Sequence, residues 1–236
     1  MDMPDSTTSE VTPGAPTAAI RDLRVHYDLA ALDIADTAQT PLAQFRSWFA
    51  DAQSAELIEP NAMVVSTATA EGSVSGRTVL LKEADARGFA FYTNLDSLKG
   101  EQLRANPYVA AVFPWYPLHR QVLVSGRVVP VPRAEAAAYF ASRPRESQLG
   151  AWASKQSTVI SDREVLHDRF TAMEQRFSGG EVEFPPFWGG FIIQAHSVEF
   201  WQGRPSRLHD RIVYLTDDAE GGLAEPDAWR RERRSP

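Results

Sequence analysis

The chain has 236 residues, 43% of them hydrophobic and 23% charged, which suits one globular domain with a substantial core and leaves little room for a second. It holds no cysteine, so disulfides, thiolate nucleophiles, cysteine-ligated zinc and iron–sulfur clusters are excluded. A formal net charge of -7 disfavours general attraction to nucleic acid, so an anion site must be built from cations gathered locally against the overall field.

Residues 1–19 are rich in Pro, Thr, Ser and Ala and nearly devoid of large apolar side chains, so they are expected to form a disordered tail ahead of a domain over 20–236. The start of the chain shows no basic segment followed by an apolar stretch, and no later run approaches the roughly 18 apolar residues of a membrane span. A cytoplasmic location is the expectation. Thr40 and Pro41 read as an N-cap and a first-turn proline, and Leu42, Phe45, Trp48, Phe49 and Ala52 recur at helical spacing, which predicts a helix over 41–56. From Ala62 the period changes: AMVVSTAT, GRTVLLKE and FAFYTN are short β-rich runs parted by turn signals at Glu71-Gly72 and Arg87-Gly88, expected to be successive antiparallel strands. A short helix over 97–105 closes at Asn106-Pro107, and YVAAVFPW and RQVLVSGRVVPV supply two more strands. Five strands so closely spaced suggest a barrel.

Helices are then expected over 132–142 and 145–153, broken at Arg143-Pro144. Ser161 and Glu164 read as the capping box of a third, with Leu166, Phe170, Met173 and Phe177 as its apolar stripe. Strands return in GGFIIQAHSVEFWQ and DRIVYLTD, followed by a turn through Gly221-Gly222 and a short terminal segment from Ala228. The class is mainly β, in the α+β sense, with no internal repeat.

Several chemistries find no support. There is no GxGxxG after a strand, no GxxxxGK[ST] loop and no HExxH, and GSVSG puts Val74 where a nucleophile elbow needs serine. His26, His119, His167, His196 and His209 have no ligand-like spacing, so no metal is expected.

Three segments concentrate cations, hydroxyls, amides and aromatics. In RTVLLK, Arg77 and Lys82 end one extended run and, an odd number of positions apart, are expected to face opposite sides and serve two anions. In YFASRPRESQLGAWASKQS, Tyr139, Arg143 and Ser147 are spaced by fours; a phenol, a guanidinium fork and a hydroxyl converging on one point suit a phosphate. In EFWQGRPSRLHDR, a tryptophan and a histidine flanked by arginines suit a planar heterocycle and proton movement. Taken singly, the first two are also compatible with solvated charged surface.

At these residues the sequence resembles the pyridoxamine/pyridoxine 5'-phosphate oxidase family, with EFWQGRPSRLHDR as the most specific match. RTVLLK, FYTN, NPYVAAVFPW, RQVLVSGR, SRPRESQLGAWASKQS and FWGGF resemble family blocks in the same order. The resemblance implies an FMN-binding split β-barrel with peripheral helices, a homodimer with active sites between subunits, and oxidation of pyridoxamine or pyridoxine 5'-phosphate to pyridoxal 5'-phosphate with O2 reduced to peroxide. It also implies FMN contacts from Arg77, Thr78, Val79, Leu80, Leu81, Lys82, Tyr92, Thr93, Lys99, Gln121, Gln156, Ser157, Trp201 and Arg211. Lys82, Tyr139, Arg143 and Ser147 match holders of the substrate phosphate. Arg207 and His209 match residues at the pyridine ring and its reacting substituent, and Arg24 and Tyr27 match a lid. Leu98 departs from the arginine often found beside the lysine that matches Lys99. The end, Arg233-Arg234-Ser235-Pro236 after Arg230 and Arg231, departs from Arg-Leu-x-Pro and reads as a solvated terminal strand. The alternatives are a split-barrel reductase using a flavin on another substrate and a non-catalytic carrier of pyridoxal phosphate or FMN.

Overall fold

Thr40 sets the start of the first helix. Its hydroxyl accepts from the Ala43 N–H at 3.2 Å, Pro41 occupies the first turn, and α1 (Pro41–Ser54) buries Leu42, Phe45, Trp48 and Ala52 on one face. The helix stops two residues short of the expected end, and Glu56 turns into the left-handed region at φ 52°. The computed structural model describes Tyr27, residues 30–218 and residues 222–236. The tail expected over 1–19, Arg24 of the expected lid and Gly221 of the expected turn lie outside these residues.

The strands β1 (Ala62–Ala68), β2 (Val74–Leu80), β3 (Glu83–Asp85), β4 (Gly88–Asn94), β5 (Tyr108–Trp115), β6 (Arg120–Pro130), β7 (Trp188–Gln202), β8 (Asp210–Leu215) and β9 (Arg230–Arg233) form one antiparallel sheet. The order is β2-β1-β5-β6-β7-β4-β3, with β8 on β7 and β9 on β8. The helices α2 (Leu98–Ala105), α3 (Arg133–Ser142), α4 (Arg145–Ala153) and α5 (Glu164–Arg176) lie at its periphery. Of the first three runs, the first two pair antiparallel as β1 and β2, and the end of the second pairs antiparallel with the third through β3. GRTVLLKE is not one strand, because β2 ends at Leu80 and β3 starts at Glu83, and FAFYTN pairs with β3 on one edge and across the fold with β7 on the other.

The curl comes from β7. One edge pairs with β6 along its length, whereas the other pairs with β4 over 188–193 and with β8 over 197–202. The register shifts between Ser125 and Gly126, where a Cβ on Gly126 would fall 2.1 Å from the Gln194 carbonyl oxygen. Near the exit of β2, Leu81 N–H donates to Asn61 O and Lys82 N–H to Ala90 O, which ties that end of the sheet to β4. Phe45 of α1 fills the interior against Phe89, Phe113 and Trp115, with ring centroids 5.0, 5.0 and 5.9 Å away. A smaller core of Phe140, Leu149, Phe177, Val182 and Trp188 seats α3, α4 and α5.

Two local expectations change. Ser161 and Glu164 form no capping box: the Ser161 hydroxyl donates to Asp162, whose other carboxylate oxygen accepts from Val165 N–H at 3.2 Å. A carboxylate is the stronger acceptor and also suits the positive end of the helix. In the expected stripe Leu166 is exposed, while Phe170 and Met173 pack against the smaller core. The terminal basic run is not simply solvated either. Arg231 donates to the Ile34, Thr37 and Ala38 carbonyls, and Arg233 donates to Leu32 O and pairs with Asp33 and Asp210, so β9 clasps the segment ahead of α1.

Phe113 is fully buried at the centre of the aromatic core. Phe113→Ala is expected to cost about 3–5 kcal/mol in equilibrium chemical denaturation. A loss under about 1 kcal/mol would show that the interior is not packed as described.

Candidate functional site

A cavity of about 930 Å³ opens beside the outer surface of β2 and β4, between the start of α2 and the α3–α4 corner. Its walls carry Arg77, Lys82, Lys99 and Arg143, and among the described residues no aspartate or glutamate lines it. In a chain of net charge -7 this is the local gathering of cations that anion binding demands.

Each cation arrives from a different element. Lys99 lies in the first turn of α2, whose N-cap Ser97 accepts from Gly100 N–H. Its ammonium is buried and donates to Gln156 Oε1 at 2.7 Å, Thr93 Oγ1 at 3.0 Å and Ser97 Oγ at 3.4 Å. Burial, reinforced by the neighbouring Arg77 charge, pulls the Lys99 pKa down to about 8. Arg77 is half-buried, and its pKa is also lowered by burial. Arg143 sits where α3 ends, its backbone extended at ψ 151° by the following Pro144. Its guanidinium lies 4.9 Å from the Trp188 ring, one terminal nitrogen is buried without a partner among the described residues, and burial lowers its pKa. Lys82 is exposed, with its ammonium 6.0 Å from the Tyr139 ring.

An aromatic wall completes the cavity. Tyr92 stacks on Tyr139 at 4.2 Å and on Trp188 at 5.4 Å. The stack depends on Gly190, the cross-strand partner of Tyr92, because a Cβ there would meet Tyr92 Cδ1 at 2.7 Å. The Tyr92 hydroxyl is buried without a partner among the described residues, and burial, with Glu83 and Glu135 adding, pushes its pKa up to about 12, so it remains a donor. A carboxylate-free, cation-lined space suits a ligand that brings anionic oxygens.

Most of the residues expected at the site meet here: Arg77, Thr78, Val79, Leu80, Lys82, Tyr92, Thr93, Lys99, Tyr139, Arg143, Ser147, Gln156 and Ser157 all line the cavity. Leu81 does not: it is buried in the main core. Arg77 and Lys82 do not face opposite sides of the sheet, because the strand stops at Leu80 and the backbone turn returns Lys82 to the cavity that Arg77 lines. Tyr139, Arg143 and Ser147 converge despite the break at Pro144, with Ser147 rising on the first turn of α4. Leu98 lines the cavity and its N–H donates to Ser157 Oγ. Trp188 was missed as an individual contact; its only signal was the FWGGF block.

A second group lies apart from this cavity. Gln121, Trp201 and Arg211 are direct cross-strand neighbours on β6, β7 and β8, and none of them lines it. The Arg211 guanidinium is held by both Glu199 oxygens at 2.6 and 2.9 Å. Beside them His209 packs 4.5 Å from Trp201, and the Tyr27 ring stands edge-on to His119, His209 and Trp201. His209 Nδ1 accepts from Arg204 N–H at 3.1 Å, and burial, with Arg207 adding, lowers its pKa. Arg207 is exposed, at φ 61° after Ser206 at φ 56°.

Comparison with known proteins adds sequence and fold likeness. Residues 49–177 match the family profile described as pyridoxamine 5'-phosphate oxidase, and residues 188–236 match the pyridoxine 5'-phosphate oxidase C-terminal dimerisation region. Pyridoxine/pyridoxamine 5'-phosphate oxidase of Gloeothece citriformis is 49% identical over 92% of this chain and 99% of its own length. The protein of that name from Streptomyces avermitilis is 52% identical over 91% of this chain and 95% of its own. The structure of PhzG from Burkholderia lata 383 in complex with tetrahydrophenazine-1-carboxylic acid superposes with a TM-score of 0.80 at 27% identity, covering 90% of this chain and 100% of that one.

Two measurements test the cavity. Sulfate, doubly charged across the range, is expected to bind most tightly below pH 8 and to lose about tenfold in affinity per pH unit above it, because Lys99 must take up a proton to bind. Calorimetric titration showing a flat profile from pH 7 to 10 would remove Lys99 from the anion site. Gly190→Ala is expected to weaken sulfate binding by disturbing Tyr92 while the secondary structure seen by circular dichroism persists.

Proposed function

The chain belongs to the pyridoxine/pyridoxamine 5'-phosphate oxidase family, and from that premise we propose that it oxidises pyridoxamine or pyridoxine 5'-phosphate to pyridoxal 5'-phosphate, with FMN as cofactor and O2 as acceptor. The observation that carries this reading is the cation-lined, carboxylate-free cavity with an aromatic wall. It has two ends of matching chemistry. Arg77 and Lys99, with Thr93, Gln156 and Ser157, would hold the flavin and its phosphate. Lys82, Tyr139, Arg143 and Ser147 would hold the phosphate of the substrate.

The donor set fits such groups on physical grounds. Lys99 has its pKa depressed by burial and by Arg77, and among the described residues Arg143 and Tyr92 have unpartnered donor atoms. A phosphate ester in the cavity would offset the first. When bound, FMN supplies the two-electron acceptor that takes hydride from the amine- or alcohol-bearing carbon. For the amine, the balance is substrate, O2 and water giving aldehyde, ammonia and hydrogen peroxide; for the alcohol, substrate and O2 give aldehyde and peroxide.

The chain's own contribution is registration. The phosphate grips are remote from the reacting bond, so they accelerate the reaction by restricting two planar molecules to a reactive arrangement. His209 supplies the proton function. Because its Nδ1 accepts from Arg204 N–H, the neutral ring carries its proton on Nε2, where it is available to the exocyclic substituent. Arg207 would orient that substituent. Neither residue lines the cavity of its own chain. Homodimerisation through the C-terminal region would bring the partner's group of Gln121, Trp201, Arg207, His209 and Arg211 to complete each site.

The purified protein is expected to be yellow and to bleach when pyridoxamine 5'-phosphate is added without air. A colourless protein that stays colourless with FMN would end this reading. Arg207→Ala is expected to lower kcat by about 100-fold or more with flavin content retained, whereas Arg77→Ala mainly loses flavin. Mixing the two inactive variants under conditions of subunit exchange should restore partial oxygen uptake. No recovery in a verified mixed dimer would count against a site shared between subunits.

A further inference from the structure

Among the described residues Arg77 has no carboxylate partner, and of the two cavity arginines it is the one whose guanidinium is held by hydrogen bonds to neutral oxygens. Arg87, Arg120, Arg211 and Arg233 all pair with aspartate or glutamate at 3.0 Å or less. Arg77 instead donates to three neutral oxygens: Val65 O at 3.1 Å, Thr67 Oγ1 at 2.7 Å and Ser75 Oγ at 2.6 Å. Burial is the one cause that shifts its pKa.

The register accounts for the two hydroxyls. Thr67 and Ser75 are direct cross-strand partners on β1 and β2, and Arg77 lies two residues beyond Ser75 on the same face. A hydroxyl has one proton and must place it somewhere before its lone pairs can serve a cation. Both protons go to one atom. Thr67 Oγ1 and Ser75 Oγ each donate to Gln102 Oε1, on α2 one turn beyond Lys99. Thr67 and Gln102 are buried, so water does not substitute easily for this acceptor.

We infer that Gln102 is a positioning residue for the cofactor phosphate: as shared acceptor it turns two hydroxyl lone pairs onto the Arg77 guanidinium, and as a neutral group it leaves that charge unspent. The inference rests on the proposed FMN site and goes beyond it, because Gln102 does not line the cavity. A glutamate would accept the same two protons but would compensate Arg77 locally. An apolar side chain would free the hydroxyl protons to point at the guanidinium.

The test compares FMN with riboflavin, which lacks the phosphate, by quenching of flavin fluorescence on the full chain stripped of bound flavin. For both Gln102→Glu and Gln102→Met, FMN affinity is expected to fall by about tenfold or more while riboflavin affinity stays within about twofold. Ser75→Ala, at a half-buried position, removes one hydroxyl and should give a smaller loss with the same FMN selectivity. If FMN does not bind the unmodified chain, the functional reading itself fails and takes this inference with it. If FMN binds the unmodified chain and the variants equally, or if FMN and riboflavin weaken together, the inference alone is overturned. Should both Gln102 variants fail to fold, an unchanged FMN affinity in Ser75→Ala overturns it.

Discussion

Everything in this molecule's site follows from how it keeps positive charge uncompensated beside a cavity. A buried ammonium or guanidinium is costly, and the usual remedy is a carboxylate. The four cations at the cavity have none lining it among the described residues. Lys99 leans on two hydroxyls and an amide oxygen, Arg77 on a carbonyl and two hydroxyls, and Arg143 on the faces of Trp188 and Phe140. Neutral acceptors lower the cost of burial without cancelling the field. The residual cost shows in the lowered pKa of Lys99, and it is the part an incoming anion would relieve.

The fold makes this arrangement possible by separating acids from the site rather than by excluding them. Glu83, Asp85 and Glu135 lie near in sequence, yet Arg87 collects all three at the surface. Glu199 is spent on Arg211, and Asp51 on Arg120. The curled sheet also places the two groups of expected site residues on different regions of one chain. Through β7, the strand that pairs with β4 at one half and β8 at the other, both groups are nonetheless fixed in a single hydrogen-bonded frame.

Much of this was legible in the sequence, for identifiable reasons. The α1 start was readable because Thr40-Pro41 is a local signal, and the break at Arg143-Pro144 because proline restricts its predecessor. The cavity residues were legible as a set only through the family resemblance, since spacing alone misjudged Arg77 and Lys82 by treating RTVLLK as one extended run. Long-range pairing was not readable, because β4 meets β7 about a hundred residues downstream and nothing local encodes that choice. Gln102 was invisible for a similar reason. Its meaning depends on Thr67 and Ser75 being registered opposite each other, and on α2 presenting one amide to both.

The aspartate of RLHDR illustrates what geometry adds to a motif. An acid beside a histidine invites the role of proton partner, yet both Asp210 oxygens are already committed. One accepts from Arg233 at 2.7 Å; the other accepts from Leu32 N–H at 3.0 Å and faces Arg204 Nε at 3.5 Å. Arg204 in turn donates to Ala30 O, and its own N–H fixes His209 Nδ1. Asp210 therefore acts on His209 through position: it joins the histidine's loop to the segment that runs back toward Tyr27 and to the last strand of the sheet. The arginine-rich end of the chain, unremarkable as composition, becomes the third leg of that junction. The same few contacts thus set both where the His209 ring sits and which of its nitrogens keeps the proton.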